Sequence, residues 1–297
     1  MVEFSMFDPT SLVLTLTFGV AIGCIYVLLA TGLNLIFGVM KLVNFAHGEF
    51  IMIGAYIGYT TIAALGIDAY ASLLITIPAV SLIGIVVERL VFRRIQGTEK
   101  LNEILASLGL ILIFNNVAVL IWGDKTKQRL FSPFEDISLR LGEASVRADW
   151  IIAIIFVIAV LIALIFLIKK TKIGMAMRAT SQKSQAAMLM GINIERIYIL
   201  TFAIGAALAG AAGVLYGIIF PFNPYIGAFP TIKSFAIIIL GGLGSIPGAI
   251  IGGLLYGIAE QVAVVTLGSI WRNAVAFSIL IIVLVLRPEG LFGKKGE

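Results

Sequence analysis

A polytopic bundle of transmembrane α-helices, all-α in class and with about 8–9 membrane elements, is what three properties of this chain require. Hydrophobic residues fill 60% of its 297 positions and charged ones 12%, against roughly a quarter charged in soluble domains. Its apolar stretches run for about 20 residues without a charge, enough for a helix to cross ~30 Å of hydrocarbon. They are continuous, which excludes the dyad alternation of an outer-membrane barrel. The net charge of +5 comes from Lys and Arg gathered between the apolar segments. That is a topology signal and gives no reason to invoke nucleic acid.

The N-terminal MVEFSMFDPTS carries no Lys or Arg ahead of its apolar run, so a cleavable signal peptide is not indicated and the first span, Leu12 to Phe37, is expected to be retained. Within it Cys24, the single cysteine, excludes an intramolecular disulfide and reads as a small packing residue. The second span, Phe50 to Leu65, follows NFAHGEF, and the third, Ala69 to Val91, runs into a loop with Arg89, Arg93, Arg94 and Lys100. After the fourth, Ile104 to Trp122, the basic residues Lys125, Lys127, Arg129, Arg140 and Arg147 are balanced by Asp124, Glu135, Asp136, Glu143 and Asp149. The fifth, Trp150 to Ile168, leads into a long loop holding Lys169, Lys170, Lys172, Arg178, Lys183 and Arg196. The sixth covers Ile197 to Ile219. Ile232 to Val265 is too long for one simple span and is interrupted by GGLGSIPG, Gly241 to Gly248, which predicts a broken or re-entrant helix pair. Ala274 to Leu286 and a tail with Arg287, Lys294 and Lys295 complete the chain. Placing the unbalanced basic segments in the cytoplasm gives N-out and C-in, hence an odd number of crossings.

A weak internal echo accompanies this pattern. TFGVAIG (Thr17 to Gly23) resembles TFAIGAA (Thr201 to Ala207), and GAYIG (Gly54 to Gly58) resembles GAIIG (Gly248 to Gly252). The echo suggests an inverted repeat of the kind that places a transport pathway where interrupted helices meet.

The residues argue against catalysis. One histidine forbids an HExxH zinc pair, one cysteine forbids a thiolate cluster, and no GxxxxGK[ST] phosphate loop occurs, so neither metal nor cofactor is expected. Among the few acids in the spans, Glu49 and Glu260 are costly unless they face protein or water. Residues 47 and 49 of one helix would lie some 200° apart, so Gly48 marks Asn44 to Gly48 as an irregular connector with Glu49 opening the next helix, its carboxylate on free N–H groups and His47 or Lys41 satisfying neighbours. Such a break fits either a fixed kink or a pathway lining. Gly241, Gly242, Gly244 and Pro247 predict a tight broken-helix contact or a gate. In the 169–196 loop, Ser181 to Met190 has no breaker and reads as a short amphipathic helix capped by Gly191, with Ala186, Ala187, Met188 and Met190 as its apolar side, seated on a partner or on lipid.

GLNLIFGVMKLVNFAHGEFIMIGAYIG (Gly32 to Gly58), GMAMRATSQKSQAAMLMGINIERI (Gly174 to Ile197) and ILGGLGSIPGAIIGGLLYGIAE together resemble the LivH-type permeases of bacterial branched-chain amino-acid ABC importers. The resemblance implies one permease domain over 1–297, working in the inner membrane beside a LivM-type second permease. It further implies two cytoplasmic ATPases that bind the ATP and a periplasmic substrate-binding protein. It assigns residues 169–196 as the cytoplasmic coupling loop, with Gly174, Arg178, Ser181, Ala186, Ala187, Met190 and Gly191 at the ATPase contact. The rival readings are a permease for urea or short amides and an ion-coupled secondary transporter that titrates Glu49.

Overall fold

The computed structural model describes residues 8–286 and Gly290. The basic tail Arg287, Lys294 and Lys295, and the acidic N-terminal stretch before Asp8, lie outside the described residues.

Helix α1 (Pro9–Met40) starts on a proline, whose missing N–H is free at a helix start anyway, and ends at Lys41 in the left-handed region (φ 56). A 3-10 turn, Phe45–Gly48, winds directly into α2 (Glu49–Leu65). Asp68 then caps α3 (Ala69–Val87), accepting from Tyr70 N at 2.8 Å and Ala71 N at 3.0 Å. A π-turn, Glu88–Phe92, carries that helix into the short α4 (Arg93–Ile95). α5 (Lys100–Trp122) follows, then a hairpin of β1 (Ser138–Leu141) and β2 (Ala144–Arg147) with Leu139 opposite Val146. The hairpin was not foreseen in the charge-balanced loop. α6 (Ala148–Lys170), α7 (Lys172–Gln182), α8 (Ser184–Leu189), α9 (Ile194–Ile219), α10 (Ala228–Gly241), α11 (Ile246–Leu267) and α12 (Arg272–Leu286) complete the order.

Among the described residues seven helical runs are long and apolar enough to cross a membrane. They are α1, the run Phe45–Leu65, α3 with its extension to Ile95, α5, α6, α9 and α11. α10 has 14 residues, about 21 Å, and falls short of a bilayer by itself. It joins α11 through the glycine-rich turn, so the stretch Ile232 to Val265 is the broken pair that its length predicts. α6 shows why such helices suit lipid: Ile155, Ile158, Ile162 and Phe166 are exposed while Ala153, Val157, Leu161 and Leu164 are buried.

The interior is organised by α1 and α9. They cross where Gly32 meets Gly205: a methyl group built on Gly32 would stand 2.7 Å from the Gly205 carbonyl oxygen, and one on Gly205 3.0 Å from that of Gly32. Met40, eight residues after Gly32, and Tyr198, seven before Gly205, line one cavity, so the two helices run antiparallel. α9 packs on α2 and α3, as α1 packs on α10 and α11, and α2 packs on α3 as α10 does on α11. Exchanging α1 with α9, α2 with α10 and α3 with α11 therefore maps the packing onto itself with chain direction inverted. The echo between Thr17 to Gly23 and Thr201 to Ala207 falls on the exchanging pair α1 and α9. The second echo is corrected, since GAYIG lies on α2 and GAIIG on α11, whereas α2 exchanges with α10. Small residues recur at every close helix contact, which is why the match misleads.

Candidate functional site

The first break is built around Glu49. Asn44 accepts from Ala46 N at 3.0 Å and so caps the 3-10 turn. That turn continues into α2, and Glu49 N–H is bonded to the carbonyls of Ala46 and His47. The free N–H groups expected to receive the Glu49 carboxylate are thus occupied, because a 3-10 turn replaces the irregular connector. The carboxylate instead crosses to the start of α10. It lies flat on Gly227, where a methyl group would stand 2.6 Å from both oxygens. The amide of Asn115, turned to face its acceptors, donates to Glu49 Oε2 at 2.8 Å and to the Pro224 carbonyl at 2.9 Å. Gly48 N donates to Thr231 Oγ1 at 3.0 Å, and that hydroxyl donates to the Gly227 carbonyl at 2.8 Å. Glu49 thus sits one turn inside the run Phe45–Leu65 and against the first turn of α10, near the positive ends of two helices.

His47 is fully buried, with its ring edge-on to Phe50 (5.9 Å between centroids) and against Gly32, and neither ring nitrogen has a hydrogen-bond partner among the described residues. Lys41, expected to satisfy this connector, ends α1 and is exposed.

The second break lies at the other end of α10. Gly242 and Gly244 take φ 95 and φ 80, values open to glycine. Ser245 caps α11, accepting from Gly248 N at 3.2 Å, and Pro247 sits in the first turn, where no N–H is missed. Gly241 and Gly248 are in backbone contact. Asn34 of α1 clamps the turn, accepting from Gly244 N at 2.7 Å and donating to the Ser245 carbonyl at 2.8 Å. Asn44, His47, Gly48 and Glu49 are therefore brought to one end of α10, and Gly241, Gly242, Gly244 and Pro247 to the other.

The third group lies apart, between α6 and α9. Thr171 caps α7 by accepting from Gly174 N at 3.0 Å. Gly174 is tucked beneath the Leu167 and Ile168 carbonyls, and Arg178 donates to the Ile168 carbonyl. Gly174 and Arg178 therefore hold the α6–α7 corner. The single helix expected over Ser181 to Met190 is corrected: Lys183, extended at φ −157, divides it into α7 and α8. Ser181 ends up on α7, its hydroxyl donating to the Arg178 carbonyl at 2.9 Å. Gly191 does close α8. At φ 83 it lets Gly191 N donate to Met188 O at 3.0 Å and Ile192 N to Ala187 O at 3.1 Å, the pattern of a Schellman cap. Ala187 is only 5% exposed and belongs to the protein's own interior, while Ala186 is exposed. The outward apolar edge is Met188, Leu189 (85% exposed) and Met190 (83%).

Sequence reasoning missed a buried cluster joining α1, α10 and α11. Lys233 Nζ donates to Glu260 Oε2 at 2.8 Å and to Tyr26 Oη at 2.8 Å; Tyr26 Oη donates to Glu260 Oε1 at 3.2 Å, and Arg272 Nε lies 3.5 Å from Glu260 Oε1. Glu260 is thus buried in the protein and paired. The available signal was a lone lysine in PTIKSFAIIIL, whose cost in an apolar run demands a counter-charge.

Discontinuous helices packed in an inverted pair inside a polytopic bundle form an architecture of solute transport. No group of three or more potential metal ligands occurs among the described residues. Residues 15–286 match the family model described as branched-chain amino acid transport system / permease component. The chain belongs to that family, a non-catalytic component of a transport system. It is 35% identical to the high-affinity branched-chain amino acid transport system permease protein BraD of Pseudomonas aeruginosa, over 93% of this chain and 94% of that protein. It is 36% identical to LivH of Escherichia coli K12 over the same shares, and 30% to a probable LivH of Methanocaldococcus jannaschii over 90% and 88%. No solved structure matches the chain.

Proposed function

We propose that this chain forms one permease domain over 1–297 in a bacterial inner membrane, N-terminus outside and C-terminus in the cytoplasm, and passes Leu, Ile and Val inward. In this reading a LivM-type permease completes the pore, two cytoplasmic ATPases bind ATP, and a periplasmic binding protein delivers cargo. The observation that carries it is the match over residues 15–286, supported by relatives named for branched-chain amino acids at both ends of the identity range above. Residues 169–196 are the coupling loop. The apolar edge Met188 to Met190 is its ATPase-facing surface, and Gly174, Arg178 and Gly191 hold that edge in place.

The two ends of α10 have different roles in this proposal. A pathway shared by two permeases runs along surfaces open in the single chain, whereas His47 and Glu49 are wholly covered. That favours a fixed break beside the pathway for Asn44 to Glu49, and a mobile joint for Gly241 to Pro247. The test is reconstitution of the chain with the four partner subunits in proteoliposomes. Uptake of labelled leucine, isoleucine and valine should require both ATP and binding protein. Uptake driven by an ion gradient without ATP, or accumulation of urea in place of leucine, would overturn the assignment.

A further inference from the structure

A cavity of about 550 Å³ opens where the ends of α1, α5, α7 and α9 meet, within the size range of small-molecule sites. Three lysines line it: Lys41, Lys100 and Lys183. Lys100 is already engaged, its ammonium group 3.2 Å from Glu103 Oε2 and 2.5 Å from the Lys41 carbonyl. Glu103 in turn accepts from Val43 N at 3.2 Å. Lys41 and Lys183 form no ion pair among the described residues, so the cavity keeps two uncompensated positive charges. Thr180, 2% exposed, borders it from the α7 side. Two ammonium groups without counter-charges on the lining of one cavity are matched by a compact anion with several acceptor oxygens.

We propose that this cavity is a phosphate site, occupied by the headgroup of an acidic lipid or by a soluble phosphomonoester. Its depth suits a headgroup. Met40 is the last residue of α1 and Lys100 the first of α5, so the site lies where apolar spans give way to polar segments, and Val39 and Met40 form a wall suited to glycerol and acyl carbons. Basic pockets between spans hold acidic headgroups at this level. Lys183 is also the residue that separates α7 from α8. A phosphate shared by Lys41 and Lys183 braces the joint behind the Met188 to Met190 edge.

The experiment uses the full chain, delipidated in detergent, with native mass spectrometry for phosphatidylglycerol against phosphatidylcholine and calorimetry for glycerol 3-phosphate. Retention of phosphatidylglycerol over phosphatidylcholine identifies a lipid occupant, and binding of glycerol 3-phosphate alone identifies a soluble one; either supports the site. The double variant Lys41→Gln with Lys183→Gln should weaken the effective probe about thirty-fold. The matched loss of charge in Lys169→Gln with Lys170→Gln should leave it within about two-fold. Equal weakening by both pairs would reduce the effect to general surface charge, and failure of both probes to bind better than phosphatidylcholine would end the proposal.

Discussion

Two buried carboxylates behave differently because they meet different partners. Glu49 has an amide, a glycine backbone and nearby helix starts, but no ion pair among the described residues. Replacing its carboxyl by an amide of the same shape should therefore be mild. Glu49→Gln should lower stability by about 1 kcal/mol, and Glu49→Leu, which strands the Asn115 amide, by about 2–3 kcal/mol. Thermal unfolding of the purified protein measures both, and an unchanged midpoint for Glu49→Leu would remove the carboxylate from the account of the break. Glu260 is held by Lys233 at 2.8 Å and more loosely by Arg272 at 3.5 Å, so Lys233→Met removes the shorter of its two ion pairs and should cost about 2–3 kcal/mol, while Lys233→Met with Glu260→Leu should recover most of the loss. A double variant no better than the single would show that the pair is not the source. That Glu49 must be sheltered was legible from hydrophobic cost alone. Its shelter was not, because Gly227 and Asn115 carry no pattern that announces a carboxylate. The Lys233–Glu260 pair was hidden by a similar gap: each residue is readable as expensive, but their pairing depends on α10 lying against α11.

At the level of elements, boundaries followed wherever a capping residue or a glycine stated them. Gly66 ends α2 at φ 65, Asp68 starts α3, and Gly191 closes α8. Lys183 follows no such rule. Nothing in TSQKSQ forbids a helix, and the break comes from folding α7 back under α6 through Arg178 and Gly174. This shifts the coupling test from Ala187, which faces inward, to the exposed edge. Leu189→Asp with Met190→Asp should leave insertion intact and reduce recovery of ATPase subunits with the purified permease at least about five-fold. Ala187→Asp should instead lower the stability of the permease itself. Normal copurification and transport by the Leu189 and Met190 variant would move the ATPase contact elsewhere, with Arg89 to Lys100 next in line.

For the whole molecule, helix content and the broken pair could be read from hydrophobic runs, while the exchange of α2 with α10 could not, since it rests on packing between distant segments. Orientation is open to a direct measurement. In a Cys24→Ser background, Gln185→Cys should react with an impermeant maleimide only from the cytoplasmic side and Phe134→Cys only from the outside; the reverse would invert the proposed topology and detach the coupling loop from the ATPases. The contact of Gly32 with Gly205 has a mechanical consequence. With no side chain between the two backbones, the crossing would be the pivot for any tilt of α1 on α9, and α1 would then be a lever with unequal arms. Gly32 stands about 12 Å from the Met40 end and about 35 Å from the Pro9 end. A tilt of about 5° that moves the short arm by ~1 Å swings the long arm by ~3 Å. A displacement applied to the Met40 end would then appear about three-fold larger at the Pro9 end.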